Sequence, residues 1–194
     1  RTRTDGTVTL PWDVTLPSTT MLRVEPGTQL ALGGNRLELG GDLKIWISDA
    51  AGDGLRLLEP GDVLIVRGGA TFTTAKDESN ATSEGNLSAG EIHFKGGFVQ
   101  TYEGGGSGLS FVSTGTKAIF NGSSSQTISF SNPSASLSRF NALELDSAAP
   151  ITVSGTVVAD GDVTVTSGTS VGVTSAVDFN SDLTVTGGTL SVTG

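Results

Sequence analysis

Asp162-Val163-Thr164-Val165-Thr166-Ser167-Gly168-Thr169 returns 20 residues later as Asp182-Leu183-Thr184-Val185-Thr186-Gly187-Gly188-Thr189. The same shift aligns Leu143, Val163 and Leu183, then Leu145, Val165 and Val185, then Leu137, Val157 and Val177, as well as Ile151 with Val171 and Val153 with Val173. Within each unit apolar and hydroxyl residues alternate with period two, which puts valines on one face of a strand and threonines on the other. No helical stripe runs far; Leu137 to Asp146 comes nearest, and its register with the later repeats favours strand. Short strands bent at Gly, Asn, Asp and Ser describe a coil that stacks on the next, each rung burying its inward Val, Leu and Ile only against its neighbours. The expected fold is all-β, a right-handed parallel β-helix (β-solenoid) with about 20 residues per coil. A β-sandwich is the alternative, but it explains alternation and turns without explaining register at a fixed shift. With rungs about 4.8 Å apart, roughly nine or ten coils would form a rod on the order of 45 Å long.

The reading extends outward from that block. Gly41-Asp42-Leu43-Lys44-Ile45 and Gly61-Asp62-Val63-Leu64-Ile65 also stand 20 residues apart, which points to one coil length in both regions. Nearer the start, Val8-Thr9-Leu10, Val14-Thr15-Leu16, Leu22-Arg23-Val24, Gln29-Leu30-Ala31-Leu32 and Leu37-Glu38-Leu39 read as short strands. Pro11, Pro17, Pro26-Gly27 and Gly33-Gly34-Asn35 separate them, because Pro fixes φ and Gly or Asn reaches positive φ in turns. Two polar breaks, Lys76 to Gly90 and Gly104-Gly105-Gly106-Ser107-Gly108, are expected to be loops leaving the rod. Residues 1–194 thus read as one solenoid segment with a polar loop insertion at 76–90. The ends, Arg1-Thr2-Arg3-Thr4 and Leu190-Ser191-Val192-Thr193-Gly194, suggest an excerpt or processed part of a longer protein.

Composition narrows the function classes. Glycine supplies 28 of the 194 residues, about twice an ordinary share of ~7%. Hydrophobic residues make up 36%, enough for a thin core when they alternate with polar ones. The absence of cysteine excludes disulfides, zinc fingers and thiol nucleophiles. A net charge of −9 and a pI near 4.4 argue against nucleic acid as a partner, because phosphate neutralisation needs clustered Lys and Arg. All eleven basic residues lie at or before Arg139; beyond it stand Glu144, Asp146, Asp160, Asp162, Asp178 and Asp182 with no base. No apolar run reaches the about 18 residues of a transmembrane helix, so no membrane-spanning segment is expected.

Several stretches resemble the large bacterial secreted and cell-surface β-helical proteins, including filamentous-haemagglutinin-like adhesins and autotransporter passengers. The resemblance is carried by Gly6-Thr7-Val8-Thr9-Leu10, by Leu22-Arg23-Val24-Glu25-Pro26-Gly27-Thr28, and by Leu37-Glu38-Leu39-Gly40-Gly41-Asp42-Leu43. Phe120-Asn121-Gly122 with Gln126-Thr127-Ile128, Phe140-Asn141-Ala142-Leu143 and the Thr/Val/Gly repeats extend it over most of the chain. It implies an architecture and a secreted or cell-surface location. It carries no functional residue over to a numbered position.

The outer faces carry the candidate chemistry. In Glu91-Ile92-His93-Phe94-Lys95, alternation turns Glu91, His93 and Lys95 outward, an acid, a base and a cation in a row. Such a face would suit a polysaccharide-active enzyme, a lyase or a tailspike-like hydrolase; a solvated strand face is the preferred reading, so no catalytic residue is expected. Asp162 and Asp182 would stack one rung apart, where a calcium ion could relieve their repulsion. Turn-forming Asp residues capping backbone N–H groups are the simpler account, and no cofactor is expected. Stacked Thr164, Thr166, Thr184 and Thr186 form a hydroxyl array of the kind that orders water on ice, although Thr is also an ordinary strand-surface residue. Trp12, Trp46 and Tyr102 are candidate sugar-stacking platforms, and Asn80-Ala81-Thr82, Asn86-Leu87-Ser88 and Asn121-Gly122-Ser123 match the short glycosylation acceptor pattern. The expected role is a non-catalytic extracellular scaffold that binds a glycan or cell surface or self-associates into a fibre.

Overall fold

The structure, a computed structural model, describes residues 6–48, 53–166, 168–174 and 176–193. The first coil runs through β1 (Gly6–Thr9), β2 (Val14–Leu16) and β3 (Leu22–Val24), three short strands on three walls. The next two coils repeat the order with β4 (Thr28–Ala31), β5 (Arg36–Leu39), β6 (Leu43–Ile47), β7 (Gly54–Arg56), β8 (Val63–Val66) and β9 (Ala70–Thr74). Three middle coils keep only second- and third-wall strands: β10 (Glu91–Phe94), β11 (Phe98–Tyr102), β12 (Lys117–Phe120), β13 (Gln126–Phe130), β14 (Leu143–Leu145) and β15 (Ile151–Ser154). Their first wall reduces to single bridges, Leu57 with Leu87, Leu87 with Ser113, Val112 with Arg139 and Phe140 with Ala159. Full strands return on that wall with β16 (Val157–Ala159), followed by β17 (Val163–Val165), β18 (Ser170–Val173), β19 (Val177–Phe179), β20 (Leu183–Val185) and β21 (Thr189–Val192).

The second and third walls are each an eight-stranded parallel sheet, β2-β5-β8-β10-β12-β14-β17-β20 and β3-β6-β9-β11-β13-β15-β18-β21. Each strand pairs with the strand one coil away, so the chain is a parallel β-helix. Eight rungs at about 4.8 Å place the first and last strands roughly 34 Å apart, one or two coils fewer than the 20-residue period implied.

The period itself varies along the rod. Leu143 pairs with Val163 and Val163 with Leu183, the 20-residue coil read from the sequence. Upstream the coils are longer, since Leu37 pairs with Leu64, Leu64 with Ile92, and Phe98 with Ile128. Leu43 and Val63, which the sequence places one coil apart, lie on different walls: Leu43 pairs with Ala70 and Val63 with Arg36. Nor does Leu137 share the inward column of Val157. Phe140 bridges to Ala159 and is fully buried, while Leu137 is partly exposed.

Longer coils enclose a wider interior, and aromatic rings fill it. Seven of the eight phenylalanines, at 72, 94, 98, 111, 120, 130 and 140, form one connected set of ring contacts with centroids 4.8–6.4 Å apart. Buried glutamines tie successive coils inside this region. Gln126 Nε2 donates to the Phe94 and Gly96 carbonyls at 2.8 and 2.7 Å, and its Oε1 accepts from the Gly122 amide at 2.9 Å. The stretch 76–90 differs from a simple excursion. Residues 76–80, 84 and 85 are exposed, but Ala81, Ser83, Asn86 and Leu87 are buried, and Leu87 closes the first wall.

The corner between the second and third walls explains the doublets Gly40-Gly41, Gly68-Gly69 and Gly96-Gly97. A Cβ on Gly96 would lie 2.2 Å from the Gly68 carbonyl oxygen, and one on Gly41 2.2 Å from that of Thr20. Space, not an unusual φ, demands glycine at these two positions. The coils approach there more closely than any side chain allows.

Candidate functional site

The row expected at 91–95 lies on the outer face of the second wall. There His93 stands in register between Ile65 and Ile119, and Glu91 between Val63 and Lys117. His93 Nε2 is 3.1 Å from Glu91 Oε2, and its Nδ1 is 3.2 Å from Asn121 Nδ2. With the Asn121 amide donating to Nδ1, the ring proton sits on Nε2 and is donated to Glu91. Lys95 lies just beyond the strand and donates from Nζ to the Asn121 carbonyl at 3.2 Å. Asn121, not among the residues expected here, joins two of the three: its side-chain amide meets His93 and its carbonyl accepts from Lys95. Its side-chain Oδ1 is buried with no hydrogen-bond partner among the described residues. Both ring nitrogens of His93 are therefore engaged within the protein, and the histidine side chain is only 21% exposed.

Asp162 and Asp182 lie on neighbouring rungs and are both exposed. Asp162 Oδ1 accepts from Ser181 Oγ at 2.7 Å. The capping duty expected of them is most developed elsewhere: buried Asp62 accepts from the Gly34 amide at 2.7 Å and from the Leu58 and Glu59 amides at 2.7 and 3.0 Å. Among the described residues no three His, Cys, Asp or Glu side chains come together as a metal-holding group. The stacked threonines Thr164 and Thr184 are in register, but the Thr166 hydroxyl donates to the Asp146 carboxylate and that of Thr186 turns back to the Val165 carbonyl, both on the preceding coil.

A second feature belongs to the third wall. Arg23 and Trp46 project outward from β3 and β6, and the Arg23 guanidinium lies 3.9 Å from the centre of the Trp46 ring. Arg23 Nε also pairs with Glu25 Oε1 at 2.7 Å. Pro26, Ala75 and Glu103 complete a groove of about 340 Å³ around these three residues. Trp12, at 68% exposure, and Tyr102, at 42%, are solvent-facing and do not line it.

A third charged site is structural. Glu38, almost buried on the second wall, accepts from Arg67 Nε at 2.6 Å and from Arg36. The Arg67 hydrogen bond, with help from Arg36 and against the cost of burial, holds its carboxyl below the usual carboxylate value. Arg139 reaches Asp160 at 2.5 Å and Lys117 reaches Glu144 at 2.5 Å, each tying a basic upstream coil to an acidic one after it.

The fold and these surfaces define the chain as a parallel β-helix. No protein-family model, curated protein or solved structure matches it. No helix among the described residues is long and apolar enough to cross a membrane.

Proposed function

We propose that the chain is a non-catalytic structural and adhesive scaffold acting outside the cell, on or released from a bacterial surface. A stiff rod of stacked coils presents its outer faces to a glycan, to a cell surface, or to copies of itself. The observation that carries this reading is the unbroken pairing of two walls over eight rungs, with interior volume given to packed side chains. Such a body supplies length and repeated outward faces, which is what a presenting scaffold requires. Binding of the purified chain to glycan arrays and bacterial or host cells, with electron microscopy for fibres, tests it. Absence of both binding and assembly sinks the proposal.

The contact between Glu91 and His93 favours one other reading, a polysaccharide-active enzyme on the second wall. A carboxylate holding a histidine is a known acid–base element. Against it, the Nδ1 that would accept a proton already accepts from Asn121. Depolymerisation of an acidic polysaccharide, lost in His93→Ala, would replace the scaffold proposal; the expected result is no depolymerisation by either protein.

A further inference from the structure

We propose that the groove at Trp46 is a binding subsite for neutral pyranose saccharides. The inference rests on the adhesive reading above and assigns it a place and a ligand class. Four properties of the groove support it. An indole faces outward from a regular strand, where the same position on the next two rungs is threonine, Thr73 and then Thr101. The apolar atoms of Pro26 and Ala75 sit beside it. The depression, about 340 Å³, is open to solvent, which suits one unit of a saccharide chain lying across the wall. Finally, Arg23 stacks on one face of the indole and Glu25 pairs with Arg23, which orients the ring before any ligand arrives, so a sugar would take the opposite face. Preorganised aromatic surface costs a ligand little ordering entropy.

Charge selects the ligand class. The groove carries two carboxylates, Glu25 and Glu103, against one guanidinium already paired to Glu25. Among the described residues Glu103 has no ion-pair partner. Uronate or sulfated sugars would meet repulsion here, reinforced by a net charge of −9. Neutral pyranoses with equatorial hydroxyls instead offer a C–H face to the indole and O–H donors to Glu103. β-Linked glucose chains present both features.

The test follows Trp46 fluorescence in a Trp12→Phe background, so that Trp46 is the sole indole, during titration with cellohexaose and, separately, with oligogalacturonate and oligolysine. Cellohexaose is expected to bind and shift the emission, with no response to oligogalacturonate. Trp46→Ala should weaken cellohexaose binding, followed by calorimetry, by about tenfold or more, Trp46→Phe should restore most of it, and Glu103→Gln should weaken it several-fold. Unchanged circular dichroism and cooperative unfolding show that Trp46→Ala still folds. Equal binding by a folded Trp46→Ala overturns the groove while leaving the adhesive scaffold standing. A response to oligogalacturonate or oligolysine without one to cellohexaose overturns the ligand class, and no response to any probe overturns the subsite.

Discussion

The coils before about Leu143 and those after it solve one packing problem with different materials. Upstream, coils lengthen from 21 residues, Leu22 to Leu43, to 30, Phe98 to Ile128; leucine and isoleucine fill the first of them, and phenylalanines fill the longest. Downstream, 20-residue coils bring the walls together, and Val153, Val163, Val165, Val171 and Val173 suffice. The extra upstream residues go mainly to the first wall, where strands give way to single bridges and buried polar side chains such as Ser83, Asn86, Ser110 and Ser138. Coil length therefore sets core chemistry. A short coil can be regular because nothing has to be accommodated.

The largest test of this contrast truncates one buried side chain in each kind of core. Phe98 touches six other phenylalanines, and Phe98→Ala is expected to cost about 3–5 kcal/mol in denaturant unfolding. Val165→Ala, in a fully buried but thinner part of the rod, should cost about 2 kcal/mol. Because each coil contacts only its neighbours, hydrogen exchange should report the Val165 loss mainly in β14, β17 and β20. Equal costs at the two positions would break the link between coil length and core.

The corners give the next test. Gly96→Ala forces a Cβ onto the Gly68 carbonyl, and overpacking against backbone is expected to cost about 1–3 kcal/mol. Gly172 has no atom within 4 Å of a built Cβ and an ordinary φ, so Gly172→Ala should change stability by no more than about 0.5 kcal/mol. Thermal unfolding of the two variants compares them directly; a harmless Gly96→Ala would show that the upstream coils can move apart.

The same contrast explains what could be read from sequence. Regular downstream coils repeat residue for residue, so Leu143, Val163 and Leu183 declare both fold and register. Upstream, 41–45 and 61–65 match in composition only because strand starts on different walls both use Gly-Asp followed by aliphatic residues. The usable signal there was the Gly-Gly doublet at 40, 68 and 96, spaced 28 residues apart, because it marks a corner where successive coils come too close for a side chain. Polarity misled at 76–90, where Ser83 and Asn86 are buried because they bond backbone: Ser83 Oγ donates to the Leu109 carbonyl and Asn86 Nδ2 to that of Asp53. Of the candidate surfaces, alternation correctly turned Glu91 and His93 outward. It could not reveal Asn121, which arrives from the next coil, or join Arg23 to Trp46 across a 21-residue coil.

The smallest expected effect concerns charge, where the two regions differ most in composition and least in energy. Upstream, Glu38 is held ionised by Arg67 of the next coil and by Arg36 of its own strand; beyond Arg139 no basic residue exists to do the same. A carboxyl whose folded value lies below its ordinary 4.5 stabilises the fold fully above that pH and loses the contribution as pH falls through the folded value. Glu38→Gln is therefore expected to cost about 1 kcal/mol at neutral pH. The difference from the parent should shrink as the medium is acidified below the ordinary carboxylate value. Added salt should change it little, because the Glu38 side chain is only 12% exposed. Urea unfolding at neutral and acidic pH measures both proteins. A constant gap across that range would mean that Glu38 acts through shape and hydrogen bonding alone, and that the charged upstream coils owe nothing to their charges.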